Sequence, residues 1–337
     1  MSRIAPLAID SIPLADHPAA RAWKELDGHA PARVELLRKA SRTKPAIYRL
    51  TFADARRPAV FAKRSRTSDL ALERGVYEQI LPRLPVTVPR CHGSLEDADG
   101  SVWLFVEDVG DARPALDDPA HQVLAARWLG LLHRSGAVDA AAARLPDAGP
   151  GRYLGYLRSS RELIHRHFGN AALSAADRTV LTRLLEQLDA LETHWPDLER
   201  ACRGLPRTLV HGDFRAKNLR LRVAEGETVL YAMDWEMAGW GIPAADLGCG
   251  PMSGLTVPID FHVYRETVRE LWRDLDAPAI RRMSMFGRIF QALAGTRWAC
   301  ASLVLKSPRS LIKPVGSMRH YREQISLAIE TSAAWLE

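Results

Sequence analysis

Residues 211–218 read HGDFRAKN, and they interrupt a run of strand character: TLV (208–210) precedes them and LRLR (219–222) follows. A His, an Asp and an Asn stand here at short fixed spacing, with an Arg and a Lys between them. A solvated turn is built from Gly, Asn, Asp or Ser without that much charge. The pattern therefore points to a reacting group or a bound ion. Farther on, MDWEMAGWGIPAADLG (233–248) supplies a second carboxylate, Asp234.

Working outward, RVELLR (33–38), IYRLTF (47–52) and AVFAKR (59–64) are β-rich and separated by turn-like residues, which predicts three short strands. A helix follows over 68–84, with Leu72, Val76, Ile80 and Leu84 on one face and Ser68 as its N-cap. VWLFVEDVG (102–110) predicts another strand. Beyond it helical patterns dominate. HQVLAARWLGLLHRSG (121–136) places Leu124, Trp128 and Leu131 on one face, and the segment 174–195 opens with Ser174 and Asp177 as a capping box. The expected boundary therefore gives a β-rich lobe over 1–108 and a larger helical lobe over 109–337.

Composition excludes several classes. The most apolar C-terminal stretch, IFQALAGTRWACASLVL (289–305), is broken by Arg297 and reads as a core helix rather than a membrane span. Asp10 and Asp16 stand where a secretory signal would be apolar, so a cytoplasmic location is expected. The four cysteines are scattered, which suits reduced thiols and gives a zinc site no support. The formal charge is +6, with 46 Lys and Arg against 40 Asp and Glu. These charges are interleaved along the chain, with no basic tail or stacking motif, so nucleic acid is not the expected partner. The balance suits anionic ligands such as nucleotide phosphates.

Lys63 at the end of the third strand, Glu73 on the next helix, Asp213, Asn218 and Asp234 follow one another along the chain and supply the types of group that transfer of a phosphoryl group from ATP requires. Such a reaction needs a lysine on the phosphates, a carboxylate holding that lysine, a carboxylate facing the attacking hydroxyl, and an amide and a carboxylate for Mg²⁺. Taken alone, Lys63 reads as a surface lysine at a strand end; the ordered series gives it another meaning. Spacing alone selects Glu73 over Glu78, and a solvated helix face is the competing reading of Glu73. A His-x-Asp metal site of a hydrolase would leave Asn218 and MDWE without a purpose.

HGDFRAKN with MDWEMAGWGIPAADLG resembles the signature of the aminoglycoside phosphotransferase and choline kinase superfamily, the protein-kinase-like small-molecule kinases. The resemblance extends to LAARWLGLLHRSG (124–136) and YEQILPRLPVTVPR (77–90). It implies an α+β, bilobal protein-kinase-like fold with a β-rich N-lobe and a mostly helical C-lobe. It also implies Asp213 as catalytic base, Arg215 as a cation for the transferred phosphoryl group, and Asn218 and Asp234 as Mg²⁺ ligands. Lys63 and Glu73 would anchor the nucleotide phosphates, His211 would brace the catalytic loop, and the backbone of Glu107 and Val109 would grip adenine. A phosphate-covering loop is implied at 40–46, where ASRTKPA holds no glycine; Ser41 and Thr43 are the candidates there.

The resemblance implies a phosphotransferase that uses ATP (or GTP) and Mg²⁺ and phosphorylates a hydroxyl of a small molecule, with an antibiotic as the foremost acceptor class. The basic balance favours a neutral or anionic acceptor, such as a nucleoside, macrolide or peptide antibiotic, over a polycationic aminoglycoside. On the predicted helix 152–169, Arg158, Arg161 and His165 share a face at i, i+3 and i+7 and are candidate substrate contacts. A solvated surface is the plainer reading of that face. The alternatives are a primary-metabolite kinase for a choline-, homoserine- or sugar-type substrate, and a catalytically dead nucleotide-binding module. A choline-type substrate would favour an aromatic cage in the helical lobe, with Trp235 or Trp240 as contributors.

Overall fold

The three β-rich segments form antiparallel strands β1 (Arg33–Arg38), β2 (Ala46–Thr51) and β3 (Val60–Arg66). The structure is a computed structural model and describes residues 13–40, 44–248 and 255–332. With β4 (Cys91–Glu96) and β5 (Ser101–Glu107), the strands make one sheet in the order β1-β2-β3-β5-β4. Helix α1 (Pro18–Asp27) packs its Trp23 on one face of this sheet, against Leu50, Val60, Ala62, Trp103 and Phe105. Side chains alternate across a strand, so Lys63, next to Ala62, leaves β3 on the opposite face.

The expected helix over 68–84 is broken into pieces. Helix α2 runs Thr67–Gly75, a π-helical turn covers Val76–Ile80, and a short 3-10 turn with Pro82 ends the segment. Arg66, not Ser68, stands at its N-cap, and no side chain caps it. The wider π turn changes the phase of the helix. Leu70, Glu73, Val76, Tyr77, Ile80 and Leu81 are buried, whereas Leu72 is only half-buried. Strand β4 was not anticipated, because CHGSLE has little apolar alternation; every residue of it but Glu96 is half-buried.

The second unit is built on helices α3 (Pro119–Gly136), α4 (Pro150–His167), α5 (Ala175–Thr193) and α6 (Trp195–Cys202). The short strands β6 (Asp147–Ala148), β7 (Thr208–Val210) and β10 (Gly239–Gly241) form a three-stranded sheet in the order β6-β10-β7. Helices α7 (Ala244–Leu247), α8 (Phe261–Val268), α9 (Ala277–Cys300) and α10 (Pro308–Ser332) complete it. The capping box of α5 forms: Ser174 accepts from the Asp177 amide, and Asp177 accepts from the Ser174 amide. On α3 the buried face is Ala125, Trp128, Leu129, Leu132 and His133, rotated from the expected one, with Leu124 and Leu131 half-buried. The α9 stretch 289–300 is almost wholly buried, as a core helix should be.

Internal contacts divide the chain into one unit of residues 1–114 with 217–237, and another of 115–216 with 238–337. The first unit thus takes a segment that a single boundary at 108/109 assigns to the second. That segment holds the hairpin of β8 (Leu219–Ala224) and β9 (Glu227–Ala232). Its Leu221 amide bonds to the carbonyl of Ala112 at 2.8 Å, and Arg222 pairs with Glu107. Among the described residues, no helix is long and apolar enough to cross a membrane.

Candidate active site

In the first unit, Lys63 leaves β3 into a buried position 9% exposed, where an unpaired ammonium would be costly. Its Nζ donates to Glu73 Oε2 at 2.5 Å and to Asp234 Oδ1 at 2.8 Å. Burial alone would lower its pKa, but the Glu73 and Asp234 carboxylates override that and hold it above the ordinary lysine value. Glu73, from the buried face of α2, is pushed up by burial, opposed by Lys63 and assisted by Asp234. Glu78 lies elsewhere, bonded to Arg74 and Ser94. Asp234 follows β9 in the left-handed region, φ 71°. Asp visits this region more readily than most residues, yet it costs strain that surroundings must offset. Asn218 is buried at 4% exposure at the start of β8, and its carbonyl accepts from the Met233 amide at 3.0 Å, which ties Asn218 to the residue before Asp234.

One ammonium between two carboxylates leaves a net negative charge, and the donor atoms around it are all oxygens. Among the described residues no cluster of three or more His, Cys, Asp or Glu could hold a metal unaided. This donor set fits Mg²⁺, which is held by one or two carboxylates and completed by substrate phosphates.

In the second unit, β7 delivers HGD into a frame of buried hydrogen bonds. Asp246, 1% exposed on α7, accepts from the amides of His211 and Gly212, both at 2.7 Å. Gly212 has φ 75°, a conformation that glycine adopts without Cβ strain. His211, fully buried, accepts the Asp213 amide at its Nδ1, 3.3 Å away. Buried His133 of α3 links Asp246 at Nε2 (3.2 Å) to the Tyr264 hydroxyl at Nδ1 (2.8 Å). Burial and Asp246 raise the pKa of the Tyr264 hydroxyl and keep it protonated. Asp213 emerges from this frame and forms an ion pair with Arg215 Nε at 2.8 Å.

Removing the anchor should be costly. Asp246→Ala leaves the His211 and Gly212 amides buried without their acceptor, so it is expected to lower unfolding stability by about 3–5 kcal/mol. Denaturant unfolding measures this; a loss below about 1 kcal/mol would mean that the frame does not depend on Asp246.

The remaining candidates separate. The Glu107 amide is engaged by the carbonyl of Arg90 at 2.8 Å, and its carboxylate by Arg222 at 2.6 Å and the Arg90 amide at 3.1 Å. Val109 is buried two residues farther on. Ser41 and Thr43 lie outside the described residues. Arg158 and Arg161 turn toward α5: Arg158 donates to Glu192 at 2.6 Å, and Arg161 pairs with Asp189 at 3.0 Å and with Glu192. That is the ion-paired surface of two adjacent helices, and His165 is exposed on the same helix. Trp235 is fully buried and offers no face to a cage, while Trp240 is half-buried.

Tyr77, His133, Tyr264 and Gln291 were not singled out from the sequence. Tyr77 is buried one turn beyond Glu73, and burial, with the Glu73 and Asp234 carboxylates, holds its hydroxyl pKa well above the ordinary value. Gln291 donates from its amide to the carbonyl of Gly212 at 3.0 Å. The signal for Gln291 was present: a lone side-chain amide inside the apolar run 289–296.

The model of the phosphotransferase enzyme family matches residues 15–284. Among solved structures, a choline kinase from Cryptosporidium parvum is similar at TM-score 0.62 and 12% identity, over 90% of this chain and 93% of that one. A microcompartment-associated aminopropanol kinase is similar at TM-score 0.61 and 16% identity, over 95% and 99%. A spectinomycin phosphotransferase, solved with ADP and spectinomycin, is similar at TM-score 0.58 and 11% identity, over 90% and 94%. At these identities the likeness is one of fold. The comparison with curated protein sequences finds no match.

Proposed function

The chain belongs to the phosphotransferase enzyme family, and from that premise we propose that it transfers the γ-phosphoryl group of ATP to a hydroxyl of a small molecule. The observation that carries this reading is Lys63, buried and held between Glu73 and Asp234. A surface lysine has no reason to be buried against two carboxylates, whereas an anchor for nucleotide phosphates needs a fixed, permanently charged ammonium. Asp234 and Asn218 would hold Mg²⁺, which supplies charge neutralisation at the β- and γ-phosphates when bound. Asp213 orients the acceptor hydroxyl and takes its proton at a carboxylate oxygen. Arg215 meets charge that develops on the transferred group. His211, Gly212 and Asp246 fix where Asp213 points, which is what a reaction governed by positioning requires. Glu107, with its amide already used, would offer adenine its carbonyl.

For the acceptor, the excess of basic residues supports a neutral or anionic hydroxyl compound, with nucleoside, macrolide and peptide antibiotics foremost. Burial of Trp235 argues against it as a cage wall, leaving Trp240 as the candidate, and the ion pairing of Arg158 and Arg161 argues against a basic acceptor helix. A coupled ADP-release screen with Mg·ATP over hydroxyl-bearing antibiotics and metabolites tests both parts. ADP release above the acceptor-free rate with a neutral or anionic compound is expected. Stimulation by aminoglycosides alone would overturn the acceptor assignment, and silence with ATP bound would favour a dead nucleotide-binding module.

A further inference from the structure

The family model ends at residue 284, and Gln291 lies beyond it, on α9. It is fully buried and yet polar. Its Nε2 donates to the carbonyl of Gly212 at 3.0 Å and to that of Ala245 at 2.5 Å. Its Oε1 accepts from Arg215 Nη2 at 3.4 Å. Two carbonyls on one side and a guanidinium on the other fix which end of the amide is which, because only the NH₂ can donate and only the oxygen can face a cation. The two carbonyls belong to the residues just before Asp213 and Asp246. Asp246 holds the amides of the loop while Gln291 holds the carbonyl of Gly212, so the peptide before the base is gripped on both sides.

Packing brings Gln291 there. Gly287 stands one turn earlier on the same face of α9, and a Cβ on it would collide with the carbonyl of Ala244. Helix α9 therefore lies against the α7 backbone closely enough for the next turn to reach both carbonyls. The 3.4 Å contact to Arg215 is long for a hydrogen bond. It is a soft, neutral acceptor that steadies the guanidinium without competing with Asp213 for its charge.

Resting on the kinase reading, we infer that Gln291 is a positioning residue: it fixes the backbone before Asp213 and steadies the Arg215 guanidinium beside that base. Methionine has similar length and no hydrogen-bonding ends, and glutamate has the same shape with a charge that would draw Arg215 off Asp213.

The test uses Gln291→Met and Gln291→Glu in the full chain, with ADP release from Mg·ATP, ADP affinity by calorimetry, and hydrogen exchange of 211–216. For Gln291→Met, kcat should fall by about 10–10²-fold. ADP affinity and acceptor KM should stay within about threefold, and exchange of 211–216 should quicken. For Gln291→Glu, the deficit in kcat should widen as pH rises and its carboxyl ionises, and narrow as pH falls and the protonated acid recovers one donor. If Gln291→Met does not fold, the pH profile of Gln291→Glu carries the test. Unchanged kcat in a folded variant, a loss confined to KM or ADP affinity, or a pH-independent deficit in Gln291→Glu would overturn the inference alone. A wild-type chain that releases no ADP with any acceptor would overturn the kinase reading and this inference together.

Discussion

Asp213→Ala is expected to lower kcat by about 10²–10⁴-fold while ADP affinity stays within a fewfold of the wild type. The carboxylate stands at the end of β7, its amide tied to His211 Nδ1 and the two preceding amides tied to Asp246. The frame persists without the side chain, since none of those bonds uses its carboxylate. What goes is the carboxylate we propose as the base, together with the partner of Arg215 at 2.8 Å. Lys63, Glu73 and Asp234 belong to the other unit and keep their mutual bonds, so nucleotide affinity is spared. Steady-state ADP release and calorimetry with ADP measure the two quantities. Near-normal turnover would remove Asp213 from the role of base.

Asp234→Asn is expected to lower Mg²⁺-dependent turnover by about 10²–10³-fold or more, the scale on which one preorganised electrostatic group acts. Asparagine is the informative substitution because it shares the tolerance of aspartate for φ 71°, where alanine would add backbone strain to loss of charge. The variant removes one of two carboxylates from Lys63 and leaves the 2.5 Å pair with Glu73. Loss of the Asp234 charge also removes one of the influences that raise the Glu73 pKa, so the remaining pair is not weakened. The expected signature is that raising Mg²⁺ no longer tightens ADP binding, while Mg²⁺-free ADP affinity changes little. An unaltered Mg²⁺ response would exclude Asp234 as a ligand.

The sheet strands and the capping box of α5 were legible because each rests on a local pattern: alternation in RVELLR, or Ser174 answered by Asp177. Strand β4 was not, since CHGSLE has no such alternation and pairs only because β5 lies beside it. The π turn after Gly75 is a tertiary outcome of burying Val76, Tyr77 and Ile80 together, and no periodicity announces it. Assignment of 217–237 to the first unit goes with the pairing of Leu221 with Ala112 and of Arg222 with Glu107, both of them contacts between residues more than one hundred positions apart. Within the first unit, the meeting of Lys63 with Glu73 and Asp234 was legible because phosphoryl transfer restricts the types of residue that can serve it. The groups that brace the loop before Asp213, His133, Tyr264 and Gln291, act through geometry that short-range sequence does not carry. Arg158 and Arg161 show a regular helical spacing of charge that Asp189 and Glu192 of α5 answer, whereas His165 is exposed.

The most direct test of the central claim is the fate of the γ-phosphoryl group, followed by phosphorus NMR of wild-type chain with Mg·ATP and an acceptor that stimulates ADP release. A phosphomonoester resonance on the acceptor, growing in step with ADP and absent with Asp213→Ala, is the predicted result. ADP formed only with inorganic phosphate, or a phosphomonoester that appears equally fast with Asp213→Ala, would contradict it.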